Sequence, residues 1–125
     1  MGRNPQQVLA QIVGIVLTLV GLAGFMTGGT LLMFRINALH NVVHLLSGVL
    51  GLAAGFGGGG QRARQYNQVF GVIYLLVTVL GLAAPGFMGR LLAINPADNF
   101  LHLALGLVLA IVGFGVQSSP TRATA

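Results

Sequence analysis

Apolar positions along this chain neither alternate nor keep to one helical stripe. They gather into four long blocks, roughly residues 8–26, 39–56, 69–84 and 100–116. A helix rises 1.5 Å per residue, so crossing a bilayer takes about 20 residues, with a range of about 17–25. Each block is close to that length and predicts one membrane-spanning helix. The third is the shortest, because Pro85 cannot continue a helical hydrogen-bond ladder.

Polar residues interrupt this pattern in the same order twice, as "NALHNVVHLLSG" (37–48) and "NPADNFLHLALG" (95–106). The likeness extends well beyond these segments. "VLTLVGLA" (16–23) returns as "LVTVLGLA" (76–83), so Gly21-Leu22-Ala23 pairs with Gly81-Leu82-Ala83. Asn37, Asn41, His44, Leu45, Gly48, Gly55 and Phe56 recur as Asn95, Asn99, His102, Leu103, Gly106, Gly113 and Phe114. The expected fold is therefore an all-α integral membrane protein. It is a four-transmembrane-helix bundle built from two parallel helical-hairpin repeats, related by an axis along the membrane normal. The whole chain reads as a single transmembrane domain, with repeat 1 at about 8–56, repeat 2 at about 69–114 and a flexible tail at 117–125. Arg3, the apolar block after it and the small residues near Gly24 also fit a cleaved leader. Because the first block belongs to a repeated unit, it is expected to be retained.

Composition supports the membrane reading. Hydrophobic residues make up 55% of the chain and charged residues 6%, against about 25% charged in an ordinary soluble domain. No cysteine is present, which excludes disulfides and thiolate metal sites. The net charge of +5 reflects a single carboxylate, Asp98, more than a basic surface. Arg62 and Arg64 are too few to track a phosphate backbone, so no nucleic-acid partner is expected. All six basic residues are arginine, which fits a GC-rich bacterial genome.

Arginines in the short loops predict orientation. Arg3, Arg62, Arg64 and Arg122 fall on one side, Arg35 and Arg90 on the other. The N- and C-termini are thus expected in the cytoplasm of a bacterial inner membrane, with both motifs near the outer surface. The four glycines at 57–60 read as a flexible linker; no Gly-Lys-Ser/Thr follows to make a phosphate loop. "GGTLLMFRI" (28–36) and "GFMGRLLAI" (86–94) are too apolar to float in water. Each is expected to lie in the interface as a short helix or wedge, its arginine reaching the headgroups; a lid over a polar pocket is the alternative.

Within the motifs, Asn37 and Asn95 read as helix N-caps, with Pro96 at the first helical position and Asp98 in the first turn. Asn4 and Asn67 are expected to cap the first and third helices likewise. His44 and His102 lie seven residues beyond the caps, roughly 10 Å deeper. Residues 37, 41, 44 and 48 share one face, as do 95, 99, 102 and 106. The polar cluster is thus His40, Asn41, His44, Asp98, Asn99 and His102. The reading favoured by the residues is an interhelical clasp, His44 with Asn99 and His102 with Asn41, closed by a His40–Asp98 ion pair. Three alternatives stand beside it. His40, His44, Asp98 and His102 supply donors for zinc or a similar ion. His44 and His102 could be axial ligands of a haem or chlorophyll. A proton or ion path is the third, weakened because Gln11, Thr18 and Thr78 are the only candidates to continue it.

No nucleophile motif accompanies the cluster, so no catalysis is expected. The role read from the sequence is that of a small structural or accessory subunit in a membrane assembly. That reading needs no cofactor, with a metal or tetrapyrrole left open by the alternatives, and its expected partners are the bilayer and other membrane subunits or further copies of itself. "NALHNVVHLLSGVLGL" and "NPADNFLHLALGLVL" together resemble a bacterial membrane family catalogued as a domain of unknown function. That resemblance covers nearly the whole chain and matches at Asn37, His40, Asn41, His44, Asn95, Asp98, Asn99 and His102. It implies four spans, with Asn-x-x-His-Asn-x-x-His-Leu in the second and Asn-x-x-Asp-Asn-x-x-His-Leu in the fourth, and no assigned activity.

Overall fold

The computed structural model describes residues 4–117. Arg3, Arg122 and the tail beyond Gln117 lie outside the described residues. The elements run α1 (Pro5–Thr27), a two-stranded hairpin of β1 (Thr30–Leu31) and β2 (Phe34–Arg35), α2 (Ala38–Phe56), a 3-10 turn (Gly57–Gly60), α3 (Ala63–Ala83), α4 (Pro85–Leu92) and α5 (Pro96–Gly115). Four of them, α1, α2, α3 and α5, are long and apolar enough to cross a membrane. Their outward faces carry Leu19, Leu46, Leu76 and Ile111, all exposed, as a lipid-facing surface requires.

Three of the expected caps open helices. The Asn4 Oδ1 accepts from Gln7 N at 2.9 Å and the Asn37 Oδ1 from His40 N at 2.8 Å. Asn95 and Asp98 form a reciprocal capping box, each side chain accepting from the other's backbone N–H at 2.9 Å. Asn67 does not cap. Helix α3 starts a turn earlier, at Ala63, because 63–66 contain no breaker and wind on as helix. Asn67 is then fully buried and donates from Nδ2 to the backbone and side-chain oxygens of Gln6, at 3.0 and 2.9 Å.

The connections also differ from expectation. Residues 28–36 form a hairpin rather than a short helix. Gly28, at φ 71°, ends α1 in the left-handed conformation. The chain then pairs Thr30 with Arg35 and Leu31 with Phe34 in a short antiparallel hairpin. Residues 86–94 do contain the expected short helix, α4. The four glycines form an ordered turn, with Gly60 buried against the Gln7 side chain.

Helix α1 packs closely along α2, and α3 along α5. Both contacts rest on backbone meeting backbone. A methyl group at Gly14 would strike the backbone of Gly51 and Leu52, and one at Gly71 the backbone of Ala110. At the end holding the chain termini, side chains cover the carbonyls that a helix C-terminus leaves unpaired. Gln7 and Gln11 donate to Gly55 O at 3.1 and 2.9 Å, and Arg64 and Gln68 donate to Gly113 O at 3.0 and 2.9 Å.

These packing contacts correspond position by position. Residues 57 apart in α1 and α3 (Gln7 and Arg64, Gln11 and Gln68, Gly14 and Gly71) meet residues 58 apart in α2 and α5. The sequence pairing of residues 21–23 with 81–83 has a spacing of 60. In the packing the two triplets are thus displaced by three residues, nearly one helical turn.

Candidate functional site: three converging histidines

The caps fix where α2 and α5 begin, and helical periodicity then decides what meets inside. His40 is in the first turn of α2, His44 one turn deeper, and His102 the corresponding turn into α5. All three are almost fully buried. Their rings form one cluster, with centroids 4.4 Å apart for His40 and His44, 5.5 Å for His40 and His102, and 6.1 Å for His44 and His102. Each offers a ring nitrogen, and the three nitrogens lie within 4.8 Å of one another.

Hydrogen bonding sets the state of one ring. His40 Nδ1 lies 2.9 Å from Leu92 O. A carbonyl only accepts, so Nδ1 carries the proton and Nε2 presents its lone pair. That Nε2 is buried with no partner, and so are the Nδ1 atoms of His44 and His102. A buried polar atom left unpaired costs about 1–3 kcal/mol. Three neighbouring rings each carry one such atom.

The remaining members of the expected cluster are placed differently. Asp98 is buried, and its carboxylate serves the capping box. It lies close enough to His40 to interact electrostatically, but it does not join the converging nitrogens. The clasp is not formed. Asn41 fills the notch beside Gly24, and Asn99 fills the one beside Gly81, donating weakly to Gly81 O at 3.4 Å. A glycine at each notch leaves room for an amide, so both asparagines turn into their own hairpins, away from the histidine opposite.

The structure also brings in residues that the sequence did not single out. Tyr74 of α3 is buried with its ring 5.6 Å from His102. Its hydroxyl donates to Ser47 Oγ at 3.0 Å, and the Tyr66 hydroxyl donates to Ser47 O at 2.7 Å. Gln6 and Asn67 are buried as well, nearer the chain-terminal end, in addition to Gln11 and Thr78. Thr78 itself donates to Tyr74 O one turn back, as helical threonines do. The signal for Tyr66 and Tyr74 was their place on the buried face of an otherwise apolar helix, which tyrosine also occupies in ordinary cores.

The donor set can be tested against the groups proposed from sequence. Some point lies within about 2.8 Å of any three atoms no more than 4.8 Å apart. Zinc–imidazole bonds are about 2.0–2.1 Å, so side-chain adjustments below about 1 Å would bring all three nitrogens to one ion. A tetrapyrrole does not fit. Its plane would have to pass between His44 and His102, where the His40 ring stands close to both.

Fold and site together define a four-helix membrane protein with a buried tri-histidine cluster at one end of its bundle. A family model described as a domain of unknown function, DUF4383, matches residues 7–115. The chain belongs to that family. Neither the curated proteins nor the solved structures contain a match to it.

Proposed function

We propose that this protein holds one divalent transition-metal ion, zinc or a metal of similar preference, through His40, His44 and His102. The observation that carries the reading is the convergence of three buried imidazoles, one nitrogen of each within 4.8 Å of the others, in rings that each keep a buried nitrogen without a hydrogen-bond partner. Neutral imidazole suits zinc, copper, nickel and iron, and three protein ligands leave a fourth position open. The Leu92 carbonyl acts on His40 as such carbonyls do in metal sites, fixing tautomer and ring orientation. Asp98 offsets part of the ion's charge from nearby. A purely structural accessory subunit would need helix packing but not three unpaired imidazoles, so the metal reading is preferred. In this reading the protein binds the ion without catalysing a reaction. Association with other membrane subunits or further copies of itself remains compatible with its apolar outer surface, and the two hairpins are products of one duplication, as their matching contacts suggest. Purification from native membranes should yield about one equivalent of transition metal per chain. Metal-free protein that also fails to take up zinc or cobalt would refute the reading.

The proposed placement is the bacterial inner membrane, with termini and the glycine turn cytoplasmic, and it rests on the arginine distribution. A reporter active only outside the cytoplasm should work when inserted within 28–36 or 86–94, and stay silent after residue 60. The reverse pattern would put the histidines at the cytoplasmic face.

A further inference from the structure

The histidine cluster is closed towards both ends of the bundle and bordered by a cavity at its side. Over the cluster, the β-hairpin and α4 form a cover with Ile36, Met88, Leu92 and Ile94 buried in it. The caps stitch this cover together, Asn37 Nδ2 donating to Leu91 O and Asn95 Nδ2 to Met33 O, both at 3.1 Å. Towards the other end, Tyr74 and Leu109 fill the interior, both fully buried. Sideways the packing is looser, because α1 touches α5 only sparsely. A cavity of about 390 Å³ lies there, with Val16 and Val20 of α1, Leu101 and Leu105 of α5, and His44 and His102 in its wall. Val16 and Leu101 are exposed on the bundle's lipid-facing surface.

We infer that the open position of the histidine-bound metal is reached from the lipid phase through this cavity. The ligand is a lipid-soluble molecule with an apolar body and an oxygen-donor head group. This rests on the metal reading and adds to it the direction of access and the class of ligand. An aqueous anion would have to cross the cover, past the buried side chains of Ile36, Met88, Leu92 and Ile94. An amphiphile already in the bilayer meets a wall of valine and leucine at the right depth, with the imidazole rings at its inner side. About 390 Å³ is within the size range of small-molecule sites. Its apolar lining favours burial of a chain or ring, roughly 25 cal/mol per Å² of apolar surface. The oxygen-donor head group follows from three imidazoles leaving a fourth position, which can expand to a fifth, for water or exchangeable oxygen ligands.

The test uses the full chain in lipid nanodiscs, loaded with cobalt as a visible probe. Decyl hydroxamate should shift the cobalt bands, and acetohydroxamate at equal concentration should not. Val16→Trp or Leu101→Trp, which fill the side entrance, should keep the unliganded cobalt spectrum and lose the response to decyl hydroxamate at least tenfold. The retained spectrum shows that the variants fold. If both hydroxamates shift the bands alike, or both tryptophan variants respond like the parent, lateral access is overturned while the metal site stands. If no cobalt bands form in the parent, the metal reading falls and this inference with it.

Discussion

Replacing His44 by alanine is expected to abolish stoichiometric binding of zinc or cobalt, and the same holds for His40 and His102. Each ring supplies one of three donors, and two imidazoles cannot hold an ion in an apolar interior against its hydration. Even outer-shell partners of metal ligands typically change affinity by about 10–100-fold, so loss of a ligand should exceed about 100-fold. Asn41→Ala and Asn99→Ala are the matched controls. Their amides lie in the Gly24 and Gly81 notches, outside the cluster, so affinity should change by only a few-fold. Isothermal titration in detergent reads all five variants. Equal losses at the asparagines and the histidines would show that the affinity does not come from the three imidazoles.

The second large effect is expected at the seam of the first hairpin. Gly48 lies on the α1 backbone at Leu17 and Thr18, where even a methyl group would overlap the main chain. Neither backbone can yield without separating the helices. Overpacking a well-fitted interior costs typically about 1–3 kcal/mol and sometimes more, and Gly48→Leu should fall at or above the upper end. Metal affinity should fall with it, since moving α2 carries His40 and His44 away from His102. Gly115→Ala, where a methyl group meets nothing, should leave both stability and binding unchanged. Equilibrium unfolding in mixed micelles, with metal uptake measured on the same samples, checks both expectations.

Much of this was legible in the sequence because a membrane simplifies the code. Long apolar blocks bounded by Asn-Pro or glycine specify spans with little ambiguity, and the Asn37 and Asn95 caps fall where the residues place them. The three histidines stood out too, since buried polar residues are conspicuous in an apolar helix. Their pairing was not legible. Helical periodicity says which residues share a face, but the choice of Asn99 between His44 and its own hairpin depends on the Gly81 notch, a feature of the partner helix. The three-residue displacement of α1 against the sequence pairing has the same origin: similar Gly-Leu-Ala triplets are a weaker constraint than the Gln11–Gly55 and Gln68–Gly113 hydrogen bonds that fix register. Asn67 shows the limit of local rules, because a tertiary bond to Gln6 claimed a side chain well suited to capping. The hairpin at 30–35 was missed because its two-residue strands are too short for any period to show.

The central claim is that three histidines from two helices share one ion. X-ray absorption at the zinc or cobalt edge, on protein purified from its own membranes and on each histidine variant, measures this directly. The account predicts three imidazole nitrogens at about 2.0–2.1 Å with one further oxygen ligand, and loss of that shell in His40→Ala, His44→Ala and His102→Ala. A spectrum of a hydrated ion with no imidazole scattering, or one that the three variants leave unchanged, would contradict it.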